Sequence, residues 1–134
     1  MDKIEQMRNH FNGLIEKYGW ASHYVPLDEN HINYHTHGVL ENYNQYDLQI
    51  VLPISMGNAH GIASTIIEDM KKGVKFYEDI KYVGYLHGYY IKFRLFSECD
   101  RPVLRVLFPD KNGVMPDQKE CEEGFKYQLD ELED

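Results

Sequence analysis

The residues best equipped for chemistry are the histidines His31, His35 and His37, which fall within seven positions of one another. Side chains alternate along a strand, so His35 and His37 leave the same face. Two imidazoles at that spacing suit zinc, copper or iron, with His60 or His87 available as a third ligand. A metal-dependent hydrolase is the reaction class this would serve. The context weakens it, because no His-Glu-x-x-His, no paired cysteine and no carboxylate at a fixed offset accompanies the pair. On a half-wet strand rich in tyrosine, the same two histidines serve as packing residues. No cofactor is expected.

Other chemistries carry less. Cys99 lies between Glu98 and Asp100, and Cys121 among Glu120, Glu122 and Glu123. Acidic neighbours disfavour a thiolate, so neither reads as a nucleophile. Lys92 and Arg94, joined by Arg105 if the register allows, share a face with Tyr90 and would form a small basic patch able to stack a base. Gly57 and Gly61 open a helix whose N-terminus suits an anion. No phosphate-loop or dinucleotide glycine pattern supports that, and no serine sits in a nucleophile elbow.

These side chains must be positioned by a strand–helix unit. Tyr46–Leu52 reads as a strand buried on at least one face and is closed by Pro53. Ser55 and Asn58 offer caps for a helix that runs to Lys72 and stops at Gly73. Ala59, Ile62, Ala63, Ile66 and Met70 share its apolar face. Ahead of it, Ile4, Met7, Phe11, Leu14, Ile15 and Tyr18 place one stripe on a helix over Lys3–Tyr18. Asp2 would cap that helix, and Gly19 would end it. Strands are expected at Trp20–Val25, His31–Leu40, Lys81–Leu86, Tyr89–Phe96 and Pro102–Phe108. His87-Gly88 forms a hairpin turn, and a helix in the tail starts near Gln118. Short connections favour antiparallel neighbours. The expected fold is a single α+β domain over residues 1–134: a mainly antiparallel sheet of about five to six strands, with two main helices packed on one face.

The order of short motifs resembles the bacterial domain-of-unknown-function family 4262. Gly19-Trp20 looks like that family's Gly-Trp after its first helix. Thr36-His37-Gly38-Val39 is similar to its Thr-x-Gly-Leu, with valine for leucine. Tyr46-Asp47-Leu48 and Val51-Leu52-Pro53 stand where it has Pro-Glu-Leu and Gly-Leu-Pro. Gly73 with Phe76 resembles its Gly-x-x-Phe. Asp110, Gly113 and Pro116 match its closing Asp-x-x-Gly-x-x-Pro. The resemblance implies a compact bacterial domain with no established activity. The family has an aromatic residue at the position of His35 and a variable one at that of His37, which lowers the metal reading and raises Thr36 and Gly38. A small ligand held between the sheet and the second long helix, around Tyr34, Thr36, Gly38 and Tyr46, is a further alternative.

Composition sets the leading expectation. The chain of 134 residues carries 22 acidic against 14 basic side chains, a net charge of −8. That opposes a nucleic-acid partner, since binding phosphates requires neutralising cations. The acids concentrate in segment 117–134, which reads as a solvated face or tail. No apolar run is long enough to span a membrane, and no secretory segment precedes the first helix. A cytoplasmic protein with reduced cysteines is expected. The leading reading is a non-enzymatic protein-interaction module, of the kind seen in immunity proteins and accessory proteins of mobile elements.

Overall fold

The computed structural model describes residues 2–132. Its elements follow the chain as α1 (Lys3–Tyr18), β1 (Ala21–Pro26), β2 (Ile32–His37), α2 (Val39–Tyr43), β3 (Asp47–Ile50), α3 (Met56–Lys71), β4 (Tyr82–Leu86), β5 (Tyr89–Glu98), β6 (Arg101–Leu107) and α4 (Glu123–Lys126), with a 3₁₀ turn over Tyr127–Leu129. The strands form one six-stranded sheet in the order β1-β2-β3-β6-β5-β4. The α+β class and the mainly antiparallel sheet agree with the sequence reading. One pair departs from it: β3 and β6, side by side at the centre, run parallel. The connection between them is long and carries α3 and the β4–β5 hairpin, so no short turn forces the strands to reverse.

Register sorts the two faces of the sheet. One transverse row reads His23, His35, Gln49, Arg105 and Arg94, all polar. The neighbouring row on the other face reads Tyr24, Tyr34 and Ile50. Ile91, Phe93, Leu104 and Val106 continue that apolar face. α3 covers it with Ala59, Ala63, Ile66, Ile67 and Met70, all buried. A fully buried isoleucine of this kind contributes about 1.5–3 kcal/mol relative to exposure. Ser55 caps α3 by accepting a hydrogen bond from the Asn58 N–H at 3.2 Å, as its residue type suggests.

α1 sits differently from the expectation of two helices on one face. Asp2 caps it and Gly19 ends it in the left-handed region, but none of its residues is buried. Phe11 stacks on His23 with ring centroids 4.2 Å apart and meets the edge of His37 at 5.3 Å, on the polar side of the sheet. Leu14 and Tyr18 border a cleft with Trp20 and with His60 of α3. The helix thus lies against the β1 margin of the sheet, and Phe11, Leu14 and Tyr18 of its C-terminal half meet the domain.

The second strand stops at His37 rather than continuing to Leu40. Gly38 takes φ +97°, and α2 begins at once. Its first N–H groups have no intrahelical partners. Asp47, eight residues downstream, accepts from the N–H groups of Val39 at 3.1 Å and Leu40 at 3.4 Å. A methyl group on Gly38 would lie 2.8 Å from the Gly19 carbonyl oxygen, so both the conformation and the close approach require glycine.

The acidic C-terminal segment is docked rather than a free tail, and it turns Asp117, Glu120, Glu123, Asp130 and Glu131 to solvent as an exposed face. Gln128 is buried, and its amide pairs with the Phe108 backbone as a neighbouring strand would. Its Oε1 accepts from the Phe108 N–H, and its Nε2 donates to the Phe108 carbonyl, each at 2.8 Å. The expected tail helix starts at Glu123, not at Gln118. The last two residues of segment 117–134 lie outside the described residues.

Candidate functional site

The residues singled out for ligand binding are placed by the fold in three separate settings. Tyr34 is buried on the apolar face, and its hydroxyl meets Nδ1 of His60 at 3.2 Å. Thr36 is fully buried. Its hydroxyl donates to Asp47 Oδ1 at 2.8 Å and accepts from the Leu48 N–H at 2.9 Å. Gly38 starts α2, and Tyr46 is exposed ahead of β3. Tyr34 and Thr36 therefore commit their hydroxyl groups to partners within the domain.

The candidate metal ligands separate as well. His35 and His37 do leave one face of β2. His60 lies across the sheet on α3, stacked on Trp20 with centroids 5.3 Å apart. His87 occupies the turn of the β4–β5 hairpin. The imidazole that joins His35 and His37 is His23 of β1, directly opposite His35. Ring centroids within that trio are 5.1–5.7 Å apart. Among the described residues, no group of three His, Cys, Asp or Glu side chains is disposed to hold a metal ion.

A polar network runs beneath these rings. Arg101 donates to Glu98 at 2.7 Å and to the Thr36 carbonyl at 2.8 Å, and it lies 3.5 Å from Asp47. His35 Nδ1 faces Asn33 Oδ1 at 3.2 Å and Glu98 at 3.7 Å. Burial pulls His35 down to about 4. Arg101 and the neighbouring imidazoles add to this, and Glu98 opposes it. His37 is likewise held at about 4, first by burial and then by Arg101. Both rings are neutral near pH 7. Burial also raises the Asp47 carboxyl, outweighing the hydrogen bonds and Arg101 that favour its charge. Burial would raise Glu98 too, but the hydrogen bond from Arg101 and its charge outweigh it, and its pKa is lowered. Each member has a partner, so the network holds strands and α2 together.

Arg105 is not part of a basic surface. It is buried, with Nε donating to Gln49 at 2.8 Å and Nη1 to the carbonyls of Gln128 and Asp130 at 2.7 and 2.6 Å. Its guanidinium lies 3.5 Å from the Phe96 ring centroid. Burial pulls its pKa to about 10, which leaves it charged at neutral pH. Arg94 is paired with Asp79 and Asp117. Of the expected basic set, Arg105 is thus buried and Arg94 neutralised, and Lys81 lies over the Tyr90 ring at 4.8 Å.

No family model, curated protein or solved structure matches this chain.

The first half of α1 lies open to solvent. Residues 3–10 are all exposed, although Ile4 and Met7 continue the stripe that seats Phe11 and Leu14. Ile4 and Met7 are each 68% exposed. Alongside runs a groove of about 640 Å³ whose walls include Met7, Arg8, Phe11, Ile15, His37 and Glu41. Sequence reasoning found the stripe but assumed the domain would cover all of it. The charged and amide residues in the first two turns were the available signal. Among the described residues, no helix is long and apolar enough to cross a membrane.

Proposed function

We propose that this chain is a cytoplasmic protein-interaction module that works by binding another protein rather than by catalysis, in keeping with its resemblance to an uncharacterised bacterial family. The observation that carries this reading is the half-used stripe of α1. Burying an apolar side chain yields about 25 cal/mol per Å², yet Ile4 and Met7 forgo that gain within their own domain. Exposed apolar side chains that continue a half-buried stripe offer a surface for a partner to cover. The polar network around His35 and Arg101 supports the reading by fixing the sheet margin against which α1 rests.

A photo-cross-linking residue placed at Met7 tests it in the living host. The expected result is a discrete adduct with another protein, formed from position 7 and not from Gly13 on the outer side of the helix. The adduct should disappear with Ile4→Glu. Equal labelling from both positions, or no adduct from position 7, would overturn the reading.

A further inference from the structure

Building on the proposed interaction reading, we infer that the partner presents an α-helix with acidic residues on both margins of its own apolar stripe. Ile4, Met7, Phe11, Leu14 and Tyr18 follow one another at steps of three, four, three and four residues. Those steps fit the 3.5-residue period of a two-helix seam, and Ile15 widens the stripe only in its C-terminal half, where it faces Gly38. The residues flanking such a seam face the flanks of the partner. Along one margin of α1 these are Lys3, His10 and Lys17; along the other they are Arg8 and Ile15. The helix's two glutamates, Glu5 and Glu16, fall on the side away from the seam. In a chain of net charge −8, the exposed half of the stripe, Ile4 and Met7, is thus flanked on α1 by Lys3 on one margin and Arg8 on the other, with no glutamate of the helix on the stripe between them. Lys3 and Arg8 hold no ion pair among the described residues, so their charges are available to an incoming helix.

The same pattern disfavours a second copy of this chain. An antiparallel pair of α1 helices would set the Lys3 and Lys17 margins against each other. A parallel pair would set that margin against Arg8. Both place like charges across the seam, which is destabilising. An anionic membrane surface also attracts a basic amphipathic helix. Here, however, the C-terminal half of the stripe already rests on a domain whose net charge repels such a surface. Glu41 stands on the far wall of the groove that Met7 and Arg8 line, so on that margin the partner's acidic residue is the one facing Arg8, and the surface it turns to α2 is neutral or basic.

The test uses the full chain and two synthetic amphipathic helical peptides with leucine at the seam positions. One carries glutamate on both margins, the other lysine. Fluorescence anisotropy at low salt is expected to show the glutamate peptide binding about tenfold or more tighter than the lysine peptide, with the difference shrinking as salt is added. The double variant Lys3→Glu, Arg8→Glu should invert the preference. Ile4→Ser with Met7→Ser should abolish binding of either peptide while leaving the thermal melt in place. Equal binding of both peptides, failure of the charge reversal to invert the order, self-association in sedimentation velocity, or binding to phosphatidylserine vesicles in place of the peptide would each overturn the inference. If neither peptide binds but position 7 still cross-links to a protein in the host, the partner class is wrong and the interaction reading survives. If that adduct is also missing, both fall.

Discussion

Acidification from pH 7 to pH 5 is expected to weaken the fold through two imidazoles. His35 and His37 are each held at about 4, first by burial, whereas an unfolded chain protonates each near 6.5. Between those values the unfolded state binds more protons, so stability falls as the pH falls. A shift of one unit corresponds to about 1.4 kcal/mol, which puts the loss at pH 5 near 2 kcal/mol per ring before solvent screening. His37 is partly exposed, and the two rings share Glu98 and Arg101. Discounted for that, the expected loss is about 2 kcal/mol for the pair. His31 works in the opposite sense. Burial would lower its pKa, but its ring lies between the carboxylates of Asp28 and Asp130, each 2.8 Å away, and the net shift is upward. Its contribution is complete below about 6.5 and fades as the pH climbs through its raised value, so it offsets part of the loss. Urea unfolding followed by the fluorescence of Trp20, the only tryptophan, measures the balance at pH 7, 6 and 5. The wild-type midpoint should fall steadily, and the double variant His35→Gln, His37→Asn should fall less. A wild-type midpoint that stays level or rises over that window would refute the reasoning, as would a variant with the same slope.

Gly38→Ala is expected to cost at least about 2 kcal/mol, because φ +97° and the approach to the Gly19 carbonyl both penalise a side chain; a melting temperature within a degree of wild type would contradict this. Gln128→Ala removes the bonds to Phe108 and Phe125 and leaves buried backbone groups unpaired, at about 2–4 kcal/mol, and hydrogen exchange should quicken at Phe108 before it does in α3. Ile66→Ala opens a void beneath α3 and should cost about 2–5 kcal/mol in chemical denaturation. Ile4→Ser and Met7→Ser, by contrast, should each shift stability by no more than about 0.5 kcal/mol; a larger loss would mean that the domain already covers those side chains.

Local signals carried much of the architecture. The 3.6-residue periods of α1 and α3, their caps at Asp2 and Ser55, and the His87-Gly88 turn are all properties of neighbouring residues, and each element stands where those residues place it. What stayed hidden depends on residues far apart in the chain. α2 exists because the Asp47 carboxylate reaches back to Val39 and Leu40, so the sequence around Glu41–Asn44 reads as a plain turn. Arg105 resembles a surface cation until the carbonyls of Gln128 and Asp130 are brought to it by a segment rich in acids. His23 gives no local hint of belonging with His35 and His37, because only the β1–β2 register makes them neighbours. The face on which α1 rests was equally unreadable, since an apolar stripe specifies that it needs cover and not which surface provides it.

The place of β6 has a consequence for how the molecule is made. This strand lies between β3 and β5, and of the six strands in the sheet it leaves the ribosome last. Until Arg101–Leu107 emerges, the earlier strands present two unsatisfied edges lined by Leu48, Ile50, Ile91 and Phe93, open to pairing with other chains. Closure of the sheet is therefore a late, long-range event, and a product terminated just before Arg101 should collect in inclusion bodies rather than persist as a half-domain.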